Sequence, residues 1–216
     1  MKHVSTIFLV LFGCVALAYP ASAESLKFAI INFEPQMSVK DGVPVGGWID
    51  EMNRVAKEVG VDISYEEVPA KRMTEGLGSG VYDGSIAAPS LAGIDKGFVV
   101  ASTMVFQRAV LQVYAVGQDP GVTKIEQLAG KELIVNRGYM YGGRRAWIDD
   151  PANQVKVVLE AKDAPQALTA LTKGRAPYLL QYRDNIRDAR NSVPGAGNLK
   201  ASTLSDVGIN VVISTK

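Results

Sequence analysis

The sequence has one histidine, His3, and one cysteine, Cys14, and both fall within its first 23 residues. Everything downstream lacks both residue types. Their absence there excludes a Ser-His-Asp triad, a cysteine nucleophile, a histidine-ligated zinc site and a disulfide framework. An excess of either charge is missing too. The chain carries 23 basic against 22 acidic residues, and Lys2 is the only charged residue of the first 23, so the remainder is balanced. A balanced chain gives no basic footprint for nucleic acid. Past the first 23 residues no run reaches the roughly 18 consecutive apolar residues of a spanning helix. At 47% hydrophobic and 21% charged residues the composition is that of a globular protein, and 216 residues fit one medium domain or two small lobes.

The first 23 residues read as an export signal. Lys2 and His3 form a short basic start, Ile7 to Ala18 is an apolar run, and Ala21-Ser22-Ala23 is a small-x-small cleavage pattern. Cleavage is expected after Ala23, which places the protein in the periplasm. A membrane anchor is the alternative, but the run is shorter than the ~20 residues that span a bilayer. A lipoprotein would use Leu11-Phe12-Gly13-Cys14, where Phe12 fits poorly and the apolar run continues past the cysteine.

The remainder alternates strands and helices. Leu26 to Ile31 is an apolar strand, and Asp41-Gly42 marks a turn. Ile49, Met52, Val55, Ala56 and Val59 fall at helical spacing, with Gly60 at the C-cap. Strands are expected over 62–68 and 82–88, flanking a short helix after Pro69, with a loop at Pro89-Ser90. Further strands are expected over 109–116, 132–135, 154–159, 178–182 and 207–214. Thr123 and Glu126 have capping-box spacing for a helix that Gly130 ends. Another helix runs through Arg144 to Ile148, Asp163 caps one that tolerates Pro165 in its first turn, and a last covers 184–190. The order strand, proline, helix, glycine, strand occurs twice, over 64–87 and 155–181. Such a chain is α/β, with largely parallel sheets and right-handed crossovers. Two α/β lobes leave a cleft between them, on which the loops beyond the strand ends converge.

Four segments carry a family resemblance. Gly46-Gly47-Trp48-Ile49-Asp50-Glu51-Met52 with Ala56-Lys57-Glu58-Val59-Gly60 resembles the first helix of extracellular solute-binding proteins of the polar amino acid type (family 3). Gly80-Val81-Tyr82-Asp83-Gly84 resembles that family's "G-x-Y-D" strand entry. Leu128-Ala129-Gly130-Lys131 resembles its "L-x-G-K" entry to the second lobe, and Gly174-Arg175-Ala176 its "G-R-x-D" step. The resemblance spans Leu26 to Ile213. It implies a periplasmic binding protein-like fold (type II) with two lobes and a hinge. Lobe 1 would be 24–114 with 207–216, lobe 2 would be 115–206, and the hinge strands would lie near 114–116 and 207–211. Family members usually continue past the second hinge strand with helices packed on lobe 1. Here those C-terminal helices are expected to be missing, because the sequence ends at Lys216.

The resemblance also says where a ligand would be held. In amino-acid-binding members an arginine after the "Y-D" strand clamps the α-carboxylate, and an aspartate after the last lobe 2 strand takes the ammonium. Here the arginine position falls on Asp95, beside Lys96, and the ammonium position on Gln181 or Tyr182. Both ends of the clamp are lost, so an ordinary α-amino acid is not the expected ligand. Candidate cleft residues remain. Phe33 stands where the family often places an aromatic wall. Trp48 is either a cleft aromatic or a packing residue. Arg72, at a helix start, faces either the cleft or solvent. Ala88 and Ser90 belong to the ligand loop. Arg137, Gly138, Tyr139 and Tyr141 lie on the lobe 2 loop, where Gly138 and Gly142-Gly143 permit close backbone approach. Arg144-Arg145 reads more readily as a solvated face. Tyr182 ends the last lobe 2 strand. Arginine forks and tyrosine rings suit a small polar, anionic or aromatic ligand.

The expected function is capture of such a small-molecule ligand for an ABC permease or a membrane sensor, by a monomer without cofactor, metal or enzymatic activity. Two alternatives stand beside it: a truncated or degenerate module that docks a protein partner, and a dehydratase-like enzyme using carboxylates such as Glu34 or Asp95.

Overall fold

The computed structural model describes residues 25–216, so the expected export signal over 1–23 lies outside the described residues. In chain order the elements are β1 (Ser25–Ile30), β2 (Ser38–Lys40), β3 (Val43–Val45), α1 (Gly47–Glu58), β4 (Asp62–Glu67), α2 (Ala70–Ser79), β5 (Gly84–Ala87), α3 (Pro89–Ala92), β6 (Val99–Ala101), β7 (Gln107–Val116), β8 (Glu132–Asn136), α4 (Arg144–Asp149), β9 (Lys156–Ala161), α5 (Ala164–Thr172), β10 (Tyr178–Tyr182), α6 (Arg183–Arg190) and β11 (Leu199–Ser214).

The main sheet runs β4-β1-β5-β11-β7-β10-β8-β9, with β6 also on β11. Its two ends are built alike. On one side β4, β1 and β5 are parallel and β11 closes them antiparallel. On the other, β9, β8 and β10 are parallel and β7 closes them antiparallel. The repeated strand-helix-strand order in the sequence is thus a repeated three-strand unit in space. β11 joins the halves. It pairs with β7 from Leu199 to Ile209, then with β5 and β6 from Asn210 to Ser214.

Hydrophobic burial divides at the same place. Four buried apolar clusters form among the described residues. Two cover the faces of the first half, around Met73, Leu77 and Tyr82 and around Phe28, Ile49 and Ile86. Two cover the second, around Leu168, Leu171 and Leu179 and around Leu111, Leu133 and Leu180. Parallel strands must be covered on both faces, and each half does this with its own residues. Tyr114 packs in the second half's clusters, and Ile209 and Val212 in the first half's. The fold is therefore the mixed α/β, two-lobed arrangement expected from the sequence, although β11 carries the ladder without a break between the lobes.

Four local expectations are corrected. The loop at Pro89-Ser90 is the start of α3, because Pro89 is accommodated at a helix N-terminus, where no amide is required. The Thr123–Glu126 capping box does not form. Instead the Gln127 side-chain oxygen accepts from the Thr123 and Lys124 amides at 2.8 and 2.9 Å. The strand expected over 154–159 runs from Lys156 to Ala161. The last strand starts at Leu199, eight residues before Val207, because its first part pairs along β7 as an exposed ribbon with few buried side chains.

Candidate functional site

Between the halves lies a cleft of about 860 Å³, lined from both sides. The first half contributes the segment after β1. Phe33 turns back on itself, its amide donating to the Met37 carbonyl at 2.8 Å. Gly46 allows this turn to lie against α1. Its φ is +121°, and a Cβ there would come within 2.3 Å of the Gln36 carbonyl oxygen. The Trp48 amide then donates to that same carbonyl at 3.0 Å, which fixes the start of α1 under the Phe33 ring. Phe33 and Trp48 sit 5.2 Å apart, centre to centre.

The second half contributes three tyrosines. Tyr139 and Tyr141 come from the loop after β8, Tyr182 from the end of β10. Their ring centres are 5.7 to 6.1 Å apart. Phe33 reaches across to them, stacked on Tyr139 at 6.1 Å and edge-on to Tyr182 at 4.7 Å. Such offset and edge-to-face pairs are the favoured aromatic geometries. The halves are also hydrogen-bonded. The Tyr139 hydroxyl and Asn185 Nδ2 both donate to the Glu34 carbonyl, the latter at 3.0 Å, and Asn185 Nδ2 donates to Tyr139 Oη at 3.0 Å. One backbone oxygen of the first lobe therefore holds two side chains of the second.

Burial keeps these phenols neutral. It pushes Tyr182 up to about 12, against a smaller downward pull from the Arg144 charge. Burial also takes Tyr139 to about 12, opposed by its bond from Asn185. Tyr141 is raised further by the same desolvation, and its hydroxyl accepts the Asn136 amide at 2.6 Å.

Among the described residues two charged ones line the cleft, Glu67 and Arg144. Glu67 is engaged by the protein: Oε1 accepts from Asn32 Nδ2 at 3.1 Å and Oε2 from the Val39 amide at 2.7 Å. Arg144 is not so engaged. Its one hydrogen bond is a long one, 3.3 Å, to the Tyr141 carbonyl, and it has no ion pair among the described residues. Gly142, at φ +64°, leaves room for it, since a Cβ there would meet Nη1 at 3.2 Å. Its neighbour Arg145 is fully committed, to Asp149 at 2.8 Å and to Glu160.

Of the residues singled out in the sequence, Phe33, Trp48, Ala88, Ser90, Gly138, Tyr139, Tyr141 and Tyr182 line this one cleft. Trp48, 4% exposed, does so while packing in the core, so both of its readings hold. Arg72 and Arg137 do not line it. Arg72 lies on the outer side of α2 and pairs with Glu66 at 3.2 Å, and Arg137 is exposed. Asp95 and Lys96 sit in an exposed turn, and Gln181 is fully buried behind the lining. The Glu34 carboxylate is 3.5 Å from Lys40 and outside the lining. Met140, Arg144, Ser205 and Val207 line the cleft and were not singled out as binding residues. For Arg144 the signal was the Gly142-Gly143 pair just before it.

The fold is shared with solved binding proteins. The GluR0 ligand binding core in complex with L-glutamate aligns with a TM-score of 0.61 at 18% identity, over 90% of this chain and 86% of that one. The arginine-bound form of truncated ArgBP from T. maritima aligns at 0.55 and 18%, over 88% of each chain. The ancestral amino acid-binding protein AncCDT-1, a precursor of cyclohexadienyl dehydratase, aligns at 0.54 and 14%, over 88% of this chain and 81% of that one. No protein-family model and no curated protein matches the chain. Identities this low establish the fold alone.

Proposed function

We propose that this is a non-enzymatic solute-binding protein that captures a small ligand between two lobes. The observation that carries the reading is the cleft of about 860 Å³ lined by both halves, within the size range of small-molecule sites. Lobe 1 is taken as 24–114 with 207–216 and lobe 2 as 115–206. Sheet pairing favours placing the first crossing earlier than 114, since β7 already pairs with β10 at Leu111. Release requires the halves to part along β7 and β11, an ordinary use of hinge motion. The closing contacts are those of Tyr139 and Asn185 with Glu34.

An ordinary α-amino acid is not favoured. Among the described residues no carboxylate free of protein bonds lines the cleft to take an ammonium group, and the arginine position of the family clamp is the exposed Asp95. A periplasmic location, a permease or membrane sensor as partner and a monomeric state complete the proposal. Among the described residues no helix is long and apolar enough to cross a membrane. The dehydratase-like alternative has less support, because the Glu34 and Asp95 carboxylates lie outside the lining. The test is a thermal-shift screen of small acids, amino acids and sugars, with native mass spectrometry of protein taken from its host. A stabilising small molecule that quenches Trp48 fluorescence is expected. No stabiliser across a broad library, with no retained small mass, would overturn the proposal.

A further inference from the structure

The cleft is uneven in its chemistry. Its walls are largely apolar, with Met37, Val68, Ile86, Leu91, Val207 and Ile209 among them, beside the aromatic cluster. Polar groups of a ligand set against such walls would lose water without gaining partners. At one edge the chemistry changes. Arg144 reaches the lining from the start of α4 with a guanidinium that the protein leaves almost uncommitted, and Tyr182 lines the same cleft. The Tyr182 hydroxyl, which can donate or accept, has no hydrogen bond among the described residues. The one carboxylate of the lining among the described residues, Glu67, holds Asn32 and the Val39 amide. Among the described lining residues the uncommitted polar groups are thus neutral hydroxyls, of Tyr182, Ser90 and Ser205, and one cation, Arg144, with no free anion beside them.

Resting on the solute-binding reading above, we infer that the ligand is an apolar or aromatic monocarboxylate, its hydrocarbon body against the Trp48 and Phe33 wall and its carboxylate on Arg144 and Tyr182. An arginine fork presents two parallel N–H donors to a carboxylate, which orients the ligand as well as attracting it. A zwitterion of the same shape would bring an ammonium group that finds no free anion. It would leave that charge poorly solvated, which costs more than the extra group can return.

The experiment uses the protein without its first 23 residues, and calorimetry with four probes of one shape: 3-phenylpropanoate, 3-phenylpropanamide, phenylalanine and 2-phenylethylamine. The acid is expected to bind at least about tenfold more tightly than each of the others. Arg144→Gln is expected to weaken the acid by about tenfold or more, while Arg137→Gln, an exposed arginine outside the lining, leaves it unchanged. Circular dichroism of both variants separates loss of binding from loss of fold. Phenylalanine binding as well as the acid, 2-phenylethylamine binding best, or equal affinity of wild type and Arg144→Gln would each overturn this inference. Each of those results would leave the solute-binding reading standing. Failure of all four probes while another class of molecule stabilises the protein would also overturn the inference alone. Only a protein that no small molecule stabilises would remove both.

Discussion

In the first half, α2 follows Pro69 with no side-chain cap, and its first residue, Ala70, lines the cleft. In the second half, α5 occupies the equivalent place after β9, but Asp163 caps it, accepting the Gln166 amide at 2.8 Å, and that end is not part of the lining. The same wiring therefore ends in different chemistry. The first half gives the cleft an apolar wall and an open helix start, and the second gives it phenols and Arg144. Beside the cleft, the Glu34 carbonyl of the first half accepts from Tyr139 and Asn185 of the second. Repetition of a supersecondary unit sets where the two walls stand, and the loop residues decide what each wall does.

The largest effect should come from removing the anchor of the first wall. Trp48→Ala deletes a side chain that is 4% exposed and should cost about 3–5 kcal/mol in urea unfolding. A cost below about 1 kcal/mol would mean that the Phe33–Trp48 wall is not part of the core, and the comparison would lose one side.

Next is the contact between the halves. Tyr139→Phe keeps the ring and removes the hydrogen bond to Glu34, so about 1 kcal/mol is expected. Asn185→Ala should cost about 1–2 kcal/mol. In a double-mutant cycle the two should be non-additive, because both donate to one carbonyl and bond to each other. Strict additivity would show that they act separately.

How much of this could be seen in the sequence differs by element. The capped α5 was plain, because Asp163 with Pro165 is a local signal that the structure uses unchanged. The tyrosines and Phe33 line one cleft, because strand ends converge there whatever the ligand. Arg72 and Arg137 do not line it. Arg72 and Arg137 are near the right strand ends but turn outward, and helical geometry sends the adjacent Arg144 and Arg145 to different partners. Side-chain direction at a loop depends on a few φ angles, such as Gly142 at +64°, that a sequence does not display. The first part of β11 was hidden for another reason. Its Leu199–Asp206 stretch has no apolar alternation, since it is held by β7 and not by core burial.

Buried phenols predict a pH response from both halves, since burial pushes Tyr65 of the first half up to about 12 as well. Tyr139 and Tyr182 rise to about 12 from an ordinary value near 10. Between those values the unfolded chain gives up protons that the folded chain keeps, so stability is whole below about pH 10 and falls as pH rises toward 12. Melting temperature against pH should show this decline, and Tyr182→Phe should make it shallower, leaving the share of the other buried phenols. A profile unchanged by Tyr182→Phe would place the titrating group elsewhere.

The smallest expected effect compares the two helix starts. Asp163→Ala should cost about 1 kcal/mol. Lys71→Ala, in the uncapped first turn of α2, should stay within about 0.5 kcal/mol. Equal costs would mean that the capping difference between the halves is not energetic.

The central claim is that the two halves are lobes which part and close. Downstream of Cys14 the sequence has no cysteine, so a spin label pair can be placed cleanly at Lys57→Cys in the first half and Lys173→Cys in the second. Pulsed electron-electron spectroscopy on that pair measures the separation of the lobes directly. The distance should lengthen when Tyr139→Phe and Asn185→Ala are introduced together, and return toward the short value when 3-phenylpropanoate or another stabilising molecule is added. A single narrow distance, the same with and without those substitutions, would contradict the account.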